Sequence, residues 1–195
     1  KSYNSQIGVP LSVWKMEPEN DLALFEAGIS LPSEMEKLEP IIRPAIGIFT
    51  NIGHAHDEGF REPGQKVEEK LKLFINTDTL IYCRDHELIH EKVMHTGGLD
   101  KVTKFIWSRN HKSDLQIIRI SSEKTRSTTI TGIFNNRESS VTIPFTDEAS
   151  IENAIHCWAL MLLVEYEPEV ISERMKSLAP IAMRLELKEA INHCS

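Results

Sequence analysis

The chain has 195 residues, of which 41% are hydrophobic and 26% charged, with 22 basic and 29 acidic side chains giving a net charge of -7. These globular proportions exclude a disordered, collagenous or membrane-spanning chain, and the longest uninterrupted apolar run, residues 157–164, is far too short to cross a bilayer. Charges of both signs are interspersed, with no basic stripe or block for nucleic acid to bind. Cys83, Cys157 and Cys194 form no Cys-x-x-Cys pair and no even set, which points to a reducing, cytoplasmic setting. The chain opens on Lys1 without a signal peptide, as an excised piece of a longer protein would.

Residues 21–27 are a short apolar run closing on Glu26 and read as a first strand. A helix is expected over 32–43, with Met35, Leu38, Ile41 and Ile42 at helical spacing. Residues 45–50 read as a buried strand. A Gly- and His-rich loop follows, then a charged helix in which Val67, Leu71 and Phe74 share one face. Residues 79–83 are a third strand, after which Asp85 is placed to cap a short helix. Strands alternating with helices predict a mostly parallel sheet covered on both faces.

The pattern then changes. Strands are expected at 104–107, 115–120, 127–134 and 139–144, with Asn135-Asn136 as a hairpin turn. They predict a small antiparallel sheet at about 103–145, attached to the α/β body. Residues 150–165 form an amphipathic helix led by Ile151, Ala154, Ile155 and Trp158. Pro168 starts another at 169–178. Pro180 interrupts, and 183–191 reads as a strand opening something further, so the chain divides into a domain at 1–179 and a linker at 180–195.

Ligands of open parallel sheets sit beyond the carboxyl ends of the strands. Glu26 ends one expected strand, followed by Gly28, which permits close backbone approach. Thr50, Asn51, His54, His56, Asp57 and Glu58 follow the next. A carboxylate and imidazoles at adjacent strand ends can share a divalent cation; the plainer reading is a cap and loop polar groups. Lys66, Lys70 and Lys72 read as solvated lysines paired with Glu68 and Glu69, and spacing singles out none of them.

His86, Glu87 and His90 fit H-E-x-x-H, the pattern of a zinc-dependent hydrolase, but on a short charged helix with no third ligand at a recognisable spacing. None of the nine glycines precedes a lysine, so the chain has no Gly-x-x-x-x-Gly-Lys-Ser/Thr phosphate cradle. A non-catalytic α/β binding module is the remaining alternative.

An ordered set of short motifs resembles the Mur ligase family. It runs from Asn4, Gly8 and Pro10 in an Asn-x-x-x-Gly-x-Pro stretch, through Glu26-Ala-Gly28 and Thr50-Asn-Ile-Gly53, to Ala55-His56 and Gly59-Phe60. It continues through Glu69-Lys70, Glu152-Asn153-Ala154 and Met183-Arg184-Leu185-Glu186. The resemblance covers nearly the whole chain. It implies a central ATPase domain of P-loop NTPase-like fold, beginning after the P-loop helix and ending where a third domain starts. Such a piece alone is expected to be inactive.

The activity implied is an ATP-dependent amide synthesis through an acyl phosphate, with Mg²⁺, for peptidoglycan precursors. The partners implied are a UDP-N-acetylmuramoyl-tripeptide and D-alanyl-D-alanine, together with the missing N- and C-terminal domains of the same chain. No nucleic acid or membrane is implied. The Met183–Glu186 ending looks like the form fused to an alanine racemase. By position, Glu26 matches a Mg²⁺-holding carboxylate and His56 a histidine near a second metal ion. Lys70 matches a lysine carbamoylated into a metal partner, Asn153 an adenine neighbour, Arg184 an interdomain arginine near the nucleotide, and Asn4 an active-site lining residue. Where family members often carry His-Asn ahead of the Asn153 position, this chain has Ala149-Ser150.

Overall fold

A computed structural model describes residues 3–53, 59–123 and 126–179. His54, His56, Asp57 and Glu58 of the histidine loop lie outside the described residues, as do Arg184 and the strand expected at 183–191. The chain folds as two units, residues 1–116 and 117–195.

The first unit is α/β. Its elements are α1 (Gly8–Val13), α2 (Glu34–Ile42), β1 (Ile46–Phe49), α3 (Pro63–Leu71), β2 (Thr79–Cys83), α4 (Glu87–His95) and β3 (Thr103–Ser108). A 3-10 turn, Lys72–Phe74, extends α3. Leu115 and Gln116 begin β4 (Leu115–Glu123), whose remainder belongs to the second unit. β1 pairs parallel with β2, β2 with β3, and β3 with the start of β4 through Trp107–Leu115 and Ser108–Gln116. Parallel neighbours require crossovers, and α3 supplies that between β1 and β2 and α4 that between β2 and β3.

β2 is buried almost from end to end, with Leu80, Ile81 and Tyr82 each at 0% exposure. That is why its sequence is a continuous apolar run rather than an alternation. Val67, Leu71 and Phe74 of α3 and its extension join Leu80, Ile89, Val93, Met35 and Leu38 in one core cluster. The helical spacing of 67, 71 and 74 therefore forms the buried face expected for it.

The second unit holds the rest of β4, then β5 (Ser127–Phe134), β6 (Arg137–Ile143), α5 (Glu148–Leu163) and α6 (Pro168–Lys176). β5 and β6 form an antiparallel hairpin through Asn135 and Asn136, at φ of 49° and 60°. Two successive left-handed residues make the tight turn that matches strand twist, and asparagine tolerates that region better than most. Asp147 caps α5, its carboxylate accepting from the Ser150 N–H at 2.8 Å. No described helix is long and apolar enough to cross a membrane.

The structure corrects four expectations. Thr103–Ser108 is not the first strand of an antiparallel sheet, because it lies parallel beside β2; α4 is the crossover that reverses the chain between them. Residues 21–27 form no strand: Leu22 and Leu24 are each 76% exposed, and the run has no ladder among the described residues. Ile41 sits outside the buried face of α2 at 41% exposure, while Met35, Leu38 and Ile42 face the core. Asp85 caps no helix; its carboxylate turns to the end of β3.

Leu80 lies at the centre of the parallel sheet and of its core cluster. Leu80→Ala is expected to cost about 2–5 kcal/mol through lost burial and the cavity left behind. Urea denaturation checks this as a lower midpoint at unchanged slope.

Candidate functional site

Helix α3 carries the most unusual part of the first unit, a buried face that is partly charged. Lys66 and Glu69 are only 3% and 8% exposed, interleaved with Val67 and Leu71 at 0%. Charges this buried need partners, and each finds one on a neighbouring loop. Lys66 Nζ donates to the Gly53 carbonyl at 2.7 Å, and Lys70 Nζ donates to the Asn51 carbonyl at 3.2 Å. Both acceptors lie just beyond the carboxyl end of β1, at the edge where parallel sheets bind ligands. Lys70 also sits 5.5 Å from the centre of the Phe49 ring.

Glu69 serves the other side. One oxygen accepts the Ser33 N–H at 2.8 Å and the other accepts Lys72 Nζ at 2.8 Å. Ser33 has a left-handed backbone, φ 66°, so this bond pins a residue in a conformation it rarely adopts. Glu34 holds the same loop through the N–H groups of Ser30 and Leu31, at 2.6 and 3.0 Å. At Gly59 a Cβ would strike the Ser30 carbonyl oxygen, so only glycine permits that close approach.

Glu26 begins this stretch of chain. Its carboxylate is exposed and accepts the Asn4 side-chain amide at 3.0 Å, while the Gly28 N–H donates to the Asn4 carbonyl at 2.8 Å. A Cβ on Gly28 would stand 3.3 Å from the Asn4 side chain, a tight contact. Asn4 and Glu26 line a hollow of about 380 Å³, together with Tyr3, Ser12, Lys15 and Phe25.

Two of the expected site residues, Asn4 and Glu26, are thus in direct contact. Lys70 is half-buried over the end of β1. Asn153 is exposed on α5 of the second unit. His56 and Arg184 fall outside the described residues.

The electrostatics follow from burial and neighbours. Burial disfavours the Lys70 ammonium, and the charge of Lys66 adds to that, so its pKa is lowered. Burial pushes the Glu69 carboxyl up, but the Lys72 hydrogen bond, the Ser33 N–H and the Lys72 charge outweigh it and leave it below its usual value. At the ends of β2 and β3, Asp85 accepts from Ser108 Oγ and the Arg109 N–H, both at 2.6 Å. Burial raises that carboxyl too, and those bonds, the Asn110 N–H and the nearby His111 bring it below normal.

The H-E-x-x-H segment is not assembled as a zinc site. His90 Nδ1 is engaged by the Tyr82 hydroxyl at 2.9 Å, and the two rings stack at 5.8 Å. His86 stands at the N-cap, outside α4. A zincin needs both imidazoles projecting from one helix toward a common point.

Lys66 and Glu69 are structural anchors whose burial the sequence does not reveal, and Asp85, expected as a helix cap, anchors the end of β3 instead. Lys66 and Glu69 were grouped with solvated charges, and Lys72 does pair with Glu69 at 2.8 Å as expected, while Glu68 reaches Lys92 of α4 at 2.6 Å. The one available signal was that Lys66 and Lys70 flank Val67 and Leu71 on the helical stripe that turns inward.

Comparison with known proteins agrees with this architecture. The Mur ligase middle domain family model matches residues 1–161. The chain belongs to the Mur ligase family. A UDP-N-acetylmuramoyl-tripeptide–D-alanyl-D-alanine ligase of Bacillus subtilis is 28% identical over 190 residues, covering 95% of this chain and 39% of the relative. The ligase of the same name from Borreliella burgdorferi is 43% identical over 87 residues, covering 41% of this chain and 19% of that protein. Among solved structures, a MurF from Acinetobacter baumannii aligns with a TM-score of 0.86 at 19% identity, covering 99% of this chain and 42% of that one. A MurF from Thermotoga maritima, in complex with ADP, aligns at 0.69 and 16% identity, covering 90% and 40%. These structural likenesses support the fold. The chain spans 39% of the length of the Bacillus subtilis relative.

Two outcomes are expected from this geometry. Glu69→Ala strands the Ser33 N–H and should cost roughly 1–3 kcal/mol at pH 7. Because the folded carboxyl lies below its ordinary value, its charge-linked share is complete above that ordinary value and lost as pH falls through the folded one. Denaturant melts of both proteins from pH 7 to pH 3 read this as a narrowing gap. Lys70 has the opposite sign: its folded pKa lies below 10.5, so the unfolded chain binds the extra proton between those values. The wild type should gain stability relative to Lys70→Met as pH rises toward 10.5, in the same type of melt.

Proposed function

We propose that this chain is the middle, ATP-using part of a ligase that joins D-alanyl-D-alanine to UDP-N-acetylmuramoyl-tripeptide in the cytoplasm. The observation that carries the reading is the family match over residues 1–161, extended by 28% identity along 190 residues to a ligase of that name. The reaction is phosphorylation of the tripeptide's terminal carboxylate by ATP, then attack of the dipeptide amine on the acyl phosphate, expelling phosphate. Domain limits at 1–179 and 180–195 belong to the same proposal.

The residues are assigned by chemistry and motif. Mg²⁺ takes hard oxygen donors, and Glu26 presents an exposed carboxylate held in place by Asn4; the donor type fits. The ion would neutralise charge on the phosphates. His56 is assigned beside a second metal ion. An ammonium offers no lone pair, so Lys70 fits a metal site only after carbamoylation; burial and Lys66 favour the neutral amine this requires. Asn153 is assigned to adenine and Arg184 to the nucleotide at the domain junction.

In the full ligase, Glu26→Ala and Lys70→Ala should each lower phosphate release, dependent on both substrates, about 10²–10³-fold. Wild-type rates in both variants would overturn these assignments. The 195-residue chain alone, without a Gly-x-x-x-x-Gly-Lys-Ser/Thr run, is expected to give no turnover with Mg-ATP; calorimetry checks its binding.

A further inference from the structure

Residues 26–34 are tied down more heavily than a surface loop needs. At the start of the run the Asn4 side-chain amide donates to the Glu26 carboxylate at 3.0 Å, and the Gly28 N–H donates to the Asn4 carbonyl at 2.8 Å. Ile29 is buried in the core of the first unit. The Ser30 and Leu31 N–H groups then share one Glu34 oxygen, at 2.6 and 3.0 Å. The Ser30 carbonyl packs against Gly59 where a Cβ would collide with it. At the far end Ser33, left-handed at φ 66°, gives its N–H to Glu69 at 2.8 Å. A serine in that region persists only where its surroundings over-determine it, and such residues cluster at functional sites. The pin comes from 36 positions along the chain and is only 8% exposed. Burying a carboxylate is costly, and the bonds it makes serve largely to offset that cost. What the arrangement adds is a fixed conformation for the run that begins at Glu26.

We infer that Glu69 is a positioning residue for the Glu26 carboxylate, acting through the 28–33 loop whose far end it pins. This rests on the proposed Mg²⁺ role of Glu26 and extends it by naming a residue on another element that governs it. Asn4 orients the carboxylate itself, while Glu69 fixes the backbone that carries it. A donor already held in place loses less freedom when a cation arrives, so the cation is captured at a lower concentration. Glu69 touches neither substrate nor ion in this scheme, and its other oxygen stays with Lys72 at 2.8 Å.

The test uses the full ligase and two readings. Hydrogen exchange of the metal-free protein, followed by mass spectrometry, reports the amides of residues 26–31. Phosphate release against Mg²⁺ concentration, at saturating substrates, gives the half-saturating Mg²⁺. Glu69→Leu should speed exchange over 26–31 and raise the half-saturating Mg²⁺ about 10-fold, the lower end of what partners behind a metal ligand contribute. Glu69→Gln keeps an oxygen for the Ser33 N–H, and Lys72 keeps Glu36 at 3.6 Å, so it should match wild type in both readings. Adding Ser33→Gly to Glu69→Leu should recover part of the loss, because glycine takes the left-handed region without a pin. If Glu69→Leu does not fold, Glu34→Ala releases the Ser30 and Leu31 N–H groups and should move both readings in the same direction. Unchanged exchange over 26–31 in the folded variants overturns the inference. Faster exchange with an unchanged half-saturating Mg²⁺ also overturns it, since that is what a purely structural anchor gives. A wild type that releases no phosphate at any Mg²⁺ concentration overturns the proposed reaction and this inference with it.

Discussion

A helix that buries charge must bring its partners with it, and α3 does this three times along one face. Lys66, Glu69 and Lys70 are held among Val67 and Leu71, and their hydrogen bonds run to Gly53, Ser33 and Asn51. Leaving any of these groups unpaired costs more than the bond itself contributes. The loop after β1 and the loop before α2 are therefore drawn onto the same helix. Ser33, Asn51 and Gly53 are the points at which those loops are held. Hydrophobic packing seats the helix, but the charges decide which backbone segments meet it.

The other strand ends of the first unit are organised by the same chemistry in a different form. Asp85, just past β2, gathers Ser108 and the N–H of Arg109 at the end of β3. Ser108 Oγ in turn accepts the N–H groups of Asn110 and His111 at 3.1 and 2.8 Å. A carboxylate at one strand end thus closes the loop at the next. These satisfied networks leave Glu26 as an exposed carboxylate with its orientation set by Asn4.

Much of the α/β unit was legible in the residues. The apolar runs at 45–50 and 79–83 became β1 and β2, and the 67, 71, 74 spacing became the inner face of α3. Asn135-Asn136 formed the hairpin because a two-residue turn needs left-handed backbone, a local requirement. What failed was non-local. The partner of Thr103–Ser108 depends on which strand the crossover returns to, and alternation within six residues does not say. The run at 21–27 has strand composition yet no ladder among the described residues, because a strand exists only through its neighbour. The H-E-x-x-H pattern failed because α4 starts at Glu87 and leaves His86 at the N-cap, so the two imidazoles do not project from one helix.

By itself the sequence determined the family and the alternation of strands and helices, because order along the chain carries that information. It also determined the hairpin turn, which is satisfied within a few residues. Only the tertiary structure decided which charges are solvated and which are buried. Lys66, Glu69 and Lys72 lie within seven residues and look alike in composition, yet Lys66 and Glu69 are nearly inaccessible while Lys72 is 35% exposed. The reason is geometric: the fate of a charge on an amphipathic helix depends on the loop that passes over it, and that loop comes from elsewhere in the chain.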